Sequence, residues 1–349
     1  MTQQEFIDLL KQIENGTFIV TELTIGISEF EEERQEERLN DEQIILLVEA
    51  LKKNSNITKL NLSCNDFGDD GAIALATVNT LKELNIYDTR VGTIGGKALA
   101  ESSLQKLSGI SFIYHEENRN QFLELINAFI NNKTIIDLDF TYSYIPSEMI
   151  AQLISNNTTI KTLVLSKYLD DSAFQFIHTN TTLEALSLPE SEITDKGVEY
   201  IATNARLKSL AISQSKITDI GAKLLSTHPS LKSLFIYDSN ISFIGAQTFI
   251  GSNLDKFHLD TNLKQNIISW KECEYIKHAF NEARQLNNAQ LINSSQQSKK
   301  NKFKEYSEDE QEGEHLGKKL KADYSGSSDS NNLLSIDLVG SLEFVEETP

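Results

Sequence analysis

Residues 57–76 read ITKLNLSCNDFGDDGAIALA. Ile57, Leu60 and Leu62 carry the close alternation of a short strand, Asn65 and Phe67 follow, and Gly71-Ala72-x-Ala74-Leu75-Ala76 has helical spacing. Twenty-four residues later the order returns as Leu81, Leu84, Ile86, Thr89 and Val91, then Gly96-x-Ala98-Leu99-Ala100. A strand-plus-helix unit of this size cannot bury its own apolar face, whereas a stack of such units can, so the period predicts a solenoid.

The opening position recurs at Ile57, Leu81, Leu104, Ile135, Ile160, Leu183, Leu207, Leu231 and Leu254, at intervals of 24, 23, 31, 25, 23, 24, 24 and 23 residues. A degenerate earlier copy is read at Val20, Leu23 and Ile25. This is the leucine-rich-repeat pattern, and over residues 18–262 the chain resembles its ribonuclease-inhibitor-like, helix-bearing subclass. The Gly-Ala-x-Ala-Leu-Ala half is similar to the GALA-type short repeats of bacterial effectors. The resemblance implies an α/β leucine-rich-repeat horseshoe with a parallel β-sheet on the concave face and helices on the convex face.

One copy shows the expected roles. Leu207, Leu210 and Ile212 point to the core from a strand, and Ser209, Ala211 and Ser213 point away. Ile217 turns inward, Thr218-Asp219 is suited to capping the following helix, and Gly221-Ala222 lets that helix approach the strand layer. The position usually held by asparagine is Asn65 in the first full copy but Thr89, Ser143, Ser191, Ser215 and Ser239 elsewhere. Tyr168 fits neither type, so local distortion is expected in the fifth copy.

The sequence divides into residues 1–56, an N-terminal helical cap with the degenerate repeat; 57–262, the repeats; 263–292, a closing helix; and 293–349, an acidic tail. Residues 3–14 predict an amphipathic helix led by Phe6, Leu9, Leu10 and Ile13. Between Glu29 and Glu42 an acidic run, broken by Arg34 and Arg38, predicts a solvated loop before a helix of Ile44, Leu47, Val48 and Leu51. The irregular interval from Leu104 to Ile135 predicts a longer helix behind a longer loop. From residue 293 the composition turns to Ser, Gln, Lys, Glu, Gly and Asp, which predicts disorder. Its acidic block is similar to the translocation signal of Dot/Icm-type type IV effectors. That resemblance implies secretion from a bacterium into a host cell's cytosol; a cytoplasmic protein is the other expectation.

No phosphate loop, His-Glu-x-x-His, Cys-x-x-Cys or Gly-x-Ser-x-Gly occurs, and six histidines show no ligand-like spacing. Cys64 and Cys273 make no disulfide framework and read as packing residues. No catalytic residue, metal site or cofactor is therefore expected. The net charge of −19, from 51 acidic against 32 basic residues, disfavours nucleic acid and anionic membrane surfaces.

What remains is the outward strand face. Its expected partner-binding residues are Tyr87, Asp88, Asp139, Tyr142, Phe235, Tyr237, Asp238, His258 and Asp260, with small residues such as Ala185, Ser187, Ser209 and Ala211 between the two groups. Exposed aromatics anchor interfaces and acidic neighbours favour a basic partner. The expectation is a monomer holding a protein partner on the concave face; the alternative is an adaptor bringing a target to an enzyme such as a ubiquitin ligase.

Overall fold

The computed structural model describes residues 2–25, 38–165, 167–260 and 270–309. Most of the acidic run and the tail beyond Asp309 lie outside these residues. The chain divides into two units, residues 1–285 and 286–349. The first unit holds the repeats.

Among the described residues, ten strands form one parallel sheet in strict chain order. They are β1 (Glu22–Thr24), β2 (Lys59–Asn61), β3 (Glu83–Asn85), β4 (Lys106–Ser108), β5 (Asp137–Asp139), β6 (Thr162–Val164), β7 (Ala185–Leu188), β8 (Ser209–Ser213), β9 (Ser233–Tyr237) and β10 (Lys256–Leu259). Leu23, Leu60, Leu84, Leu107, Leu138, Leu163, Leu186, Leu210 and Leu234 are register partners from strand to strand. All are buried, so one apolar row runs through the stack. The fold is the expected leucine-rich-repeat solenoid.

Helices follow the strands: α1 (Gln3–Glu14), α2 (Asp41–Lys53), α3 (Asp69–Ala76), α4 (Thr93–Ala100), α5 (Arg119–Asn131), α6 (Ser147–Asn156), α7 (Asp195–Ile201), α8 (Asp219–Ser226), α9 (Phe243–Gln247) and α10 (Trp270–Asp309). At the N-terminus, Phe6 and Ile13 of α1 are buried in the core shared with α2. The 31-residue interval holds the longer helix α5, with Phe122, Leu125, Ile126 and Phe129 buried. In the first unit, Cys273, Ile276 and Phe280 of α10 join the core. The helix continues to Asp309, past the expected boundary at residue 292, so the compositional change at 293 does not mark its end.

The helix termini are satisfied across repeats, which revises the expected role of the Thr-Asp-x-Gly segment. Thr218 does cap its own helix, accepting from the Ile220 N–H. The preceding copy's Asp195 caps it too, accepting from the N–H groups of Thr218 (2.8 Å) and Gly221 (2.9 Å) and from the Thr218 hydroxyl (2.6 Å). Asp41 and Asp69 each accept two N–H groups at the start of the next copy's helix, and Asp171 and Asp219 each accept one N–H and the hydroxyl of Thr194 or Ser242. A carboxylate there meets both the unpaired N–H groups and the positive end of the helix dipole. This explains the glycine: a Cβ on Gly221 would lie 2.6 Å from Asp195 Oδ1, as well as against Ile217.

A second ladder closes the opposite ends. Asn54, Asn132, Asn157, Asn180 and Asn204 stand three residues before a repeat's first apolar residue, and all are buried. Each donates to a backbone carbonyl of the preceding copy and accepts two N–H groups of its own; Asn157 donates to Phe129 (2.8 Å) and accepts from Thr159 and Ile160 (both 2.8 Å). His228 occupies the same place, its Nδ1 accepting from Ser230 (3.3 Å) and Leu231 (3.1 Å). Burial holds its pKa below the ordinary 6.5, with the Ile201 backbone partly offsetting this.

The asparagine expected in the turn does its work where present: Asn65 accepts from Leu39 N–H (2.8 Å) and donates to Leu62 (2.9 Å). The hydroxyls of Ser191 and Ser215 are buried with no protein partner, the less complete bonding expected of serine there. In the fifth copy the turn from Leu165 to Leu169 has one residue fewer than that from Leu188 to Ile193. Tyr168 takes the positive φ (63°) that Glu190, Gln214 and Asp238 take one position earlier in their repeats, and two 3-10 turns, Asp171–Phe174 and Ile177–Thr179, replace the helix.

Two outcomes are expected. Asp195→Ala strands N–H groups of α8 and should lower unfolding stability by about 2 kcal/mol in a urea titration, whereas Lys196→Ala, on an exposed pair, should change it by less than about 0.5 kcal/mol. Because the folded pKa of His228 is depressed, the unfolded chain takes up the proton first as pH falls below about 6.5, and stability is lost through that window. His228→Asn should flatten this acid-side slope in melts recorded across pH.

Candidate functional site

The outward strand face has two unlike halves. Along its first row the register partners Glu22, Lys59, Glu83, Lys106 and Asp137 alternate in charge across β1 to β5. Lys59 pairs with Glu83 at 2.8 Å and Lys106 with Asp137 at 3.2 Å. Asp137 is nonetheless held above the usual carboxylate range, chiefly by burial, with Asp139 and Glu83 adding to the effect against Lys106. From β6 the same row continues uncharged as Thr162, Ala185, Ser209 and Ser233, and it ends at the exposed Lys256 of β10. The next row reads Asp139, Val164, Ser187, Ala211, Phe235 and His258.

The expected site residues fall into two clusters at separate ends of this face. At the β9–β10 end, the rings of Tyr237 and His258 lie 5.0 Å apart, with Phe235 the register partner of His258. Burial raises the Tyr237 phenol, and Asp260 adds to it. Burial and then Lys277 depress the His258 imidazole, against the opposing pull of Asp260 and Glu274. Asp238 stands at the strand-end position with φ 49°.

At the other end the rings of Tyr87 and Tyr142 lie 4.4 Å apart although β4 runs between their strands. Gly109, directly after β4, permits this: its φ is +75°, and a Cβ there would strike the Tyr87 backbone. Asp88, also at positive φ (52°), pairs with Arg38 at 3.3 Å, which draws the end of the acidic run to this cluster. Asp139 turns back on its own chain, accepting from the Thr141 N–H at 2.8 Å, a local turn like that of Asn85 with Tyr87.

Residues beyond the expected set complete this end. Tyr144 and Tyr168 are 6.3 Å apart, and Ile113 bridges to Tyr144 from the long interval. Tyr142, Tyr144, Tyr168 and Ile113 are 49%, 51%, 58% and 59% exposed. The misfit of Tyr168 at the asparagine position was the sequence signal for them.

Among the described residues no group of three His, Cys, Asp or Glu side chains is placed to hold a metal ion, and no helix is long and apolar enough to cross a membrane. Burial pushes the Cys273 thiol up to about 11, away from a reactive thiolate. An open cleft of 510 Å³ lies between α4 and α5, lined by Lys97, Glu101, Glu124 and Asn131 among others; none of the expected site residues lines it.

A family model described as "Leucine Rich repeat" matches residues 53–76 and 179–202. Similar solved structures include TLR13 in the TLR13–ssRNA13 complex, at 17% identity and a TM-score of 0.41 over 72% of this chain and 31% of that one. Another is the plant peptide hormone receptor RGFR1 in complex with RGF2, at 14% identity and 0.35 over 69% of this chain and 42% of that one. The chain thus spans less than half the length of either receptor chain. No curated protein matches it.

The charges around His258 set an expected outcome. Its imidazole should titrate below the ordinary 6.5 by NMR; Lys277→Gln should raise the midpoint and Asp260→Asn should lower it further.

Proposed function

We propose that this leucine-rich-repeat protein is a non-catalytic scaffold that holds a protein partner on its outward strand face. The observation that carries this is the β6–β10 half of the face: a floor of small side chains (Ala185, Ser187, Ser209, Ala211) ending in the ring cluster of Phe235, Tyr237 and His258. A side chain of the partner can reach such a floor while the aromatic groups supply the large contact area typical of interface anchors. The charged half is less suited to the task, because docking there would desolvate ion pairs that already satisfy one another. That pairing of Lys59 and Lys106 also leaves no basic stripe for phosphates, which favours protein over nucleic acid.

The carboxylates of Asp238 and Asp260 beside the rings favour a basic partner. The proposal that the partner belongs to a host cell rests on the GALA-like repeats and the acidic tail of a translocated effector, and the tail beyond Asp309 lies outside the described residues. The adaptor alternative would use residues 1–50, but α1 and α2 already commit Phe6, Ile13, Ile44 and Leu47 to covering the core, which supports a capping role instead.

The test is affinity capture with quantitative mass spectrometry, comparing wild type with Phe235→Ala/Tyr237→Ala. A partner held on this face should lose about 2 kcal/mol or more of binding with each anchor, and so disappear from the variant's eluate. Equal recovery by a variant with an unchanged circular dichroism spectrum refutes this surface.

A further inference from the structure

The second aromatic cluster lies at the strand ends of β3 to β6, away from the floor of small residues, and holds two ring pairs. Tyr87 packs on Tyr142 at 4.4 Å, and Tyr168 on Tyr144 at 6.3 Å. Lys167, next to Tyr168 in the chain, is paired with Glu190 at 2.6 Å. Three of these rings are about half exposed. Gly109 lies so tight against the Tyr87 backbone that a Cβ there has no room, and in the shortened fifth turn Tyr168 takes a positive φ with its ring exposed.

The neighbouring cations Arg38, Lys106, Arg119 and Lys167 each already face a carboxylate, respectively Asp88, Asp137, Glu148 and Glu190. Asp139, three residues before Tyr142, has no cation opposite it among the described ion pairs, though it accepts from the Thr141 N–H, and the chain as a whole carries a net charge of −19. Tyrosine faces attract cations, and a negative field beside them strengthens the preference. Arginine suits such a surface better than lysine, because its planar guanidinium stacks on rings while its edge pairs with carboxylates. The belt crosses three strand spacings, about 14 Å, which an extended segment of about four residues would span.

We propose that the Tyr87–Tyr142–Tyr168–Tyr144 belt docks an extended, arginine-bearing segment of the protein partner, with guanidinium groups stacked on the tyrosine rings. The inference rests on the protein-binding reading and adds a second contact region with its own chemistry, separate from the Phe235–Tyr237–His258 end.

The test uses the full chain and three fluorescein-labelled extended peptides, of Gly-Arg-Ser, Gly-Lys-Ser and Gly-Glu-Ser repeats, followed by fluorescence anisotropy at low and physiological ionic strength. The arginine peptide should bind most tightly, the lysine peptide more weakly, and the glutamate peptide not at all. Tyr142→Ala/Tyr168→Ala should weaken arginine-peptide binding by roughly tenfold, while Tyr142→Phe/Tyr168→Phe, which keeps the rings, should retain it. Unchanged circular dichroism and melting separate this loss from unfolding. Phe235→Ala/Tyr237→Ala should leave peptide binding intact, so failure of the belt and failure of the strand-face reading are told apart. No binding of the arginine peptide, equal binding of the lysine peptide, or full binding by the Tyr→Ala variant overturns the proposal.

Discussion

Every helix in a short-repeat stack begins with backbone N–H groups that its own turn cannot satisfy, and at α3, α4, α7, α8 and α9 the preceding copy supplies an acceptor. An α-helix of eight residues, such as α3 or α8, leaves as large a share of its peptide groups unpaired as paired. Asp41, Asp69, Asp171, Asp195 and Asp219 supply a carboxylate to the next copy, and the asparagine ladder closes carbonyls of the preceding one. Hydrophobic burial makes the units adhere, but it has no direction. The polar ladders fix spacing and order, because a helix displaced along the stack would leave buried donors and acceptors unmet.

The irregular middle shows how far this dependence bends. The aspartate ladder lapses between α4 and α6, where α5 is longer and a Thr93–Gln121 side-chain bond takes its place. The asparagine ladder continues through Asn132 and Asn157. In the fifth copy the helix gives way to 3-10 turns, yet Asp171 still reaches Thr194 of the next copy. In the fifth copy, then, the bond between copies outlasts the helix within one. The same irregular copies carry the exposed rings Tyr142, Tyr144 and Tyr168. A departure from the repeat costs pairing inside the stack and exposes side chains outside it, which is where surface specificity can arise.

Much of this was legible from the order of residues. The strand positions, the inward leucine row, the N-terminal helix over residues 3–14 and the longer helix in the 31-residue interval follow from spacing alone. The ladders were harder to read, since Asp195 and Asn204 each act on groups contributed by another copy. Their recurrence with the repeat was visible, but only three-dimensional neighbours show what each side chain caps. The site was legible in part. Tyr237 with His258, and Tyr87 with Tyr142, were named singly and found as ring pairs. The pairing across β4 depends on one glycine conformation, and Tyr144 entered through a bridge from the long interval, which no periodic rule encodes. Asp139 was the converse case, an outward carboxylate by pattern that serves its own turn.

A sheet with alternating charges along one half and small uncharged residues along the other is not uniformly adhesive. Paired carboxylates and ammonium groups on β1 to β5 gain little from a partner, which would have to replace both water and an existing ion pair. They do repel any partner whose charges fall out of register with theirs, and so contribute to choice more than to hold. On β6 to β8, Ala185, Ser209 and Ala211 have little side chain to immobilise, so contact there costs little conformational entropy. Rings supply area and orientation at the borders of this floor, and residual acidity supplies steering. On the proposed reading, grip falls chiefly on the rings and the small-residue floor, and the choice of partner on the paired charges of β1 to β5, so substituting those charges should alter selectivity with small effect on grip.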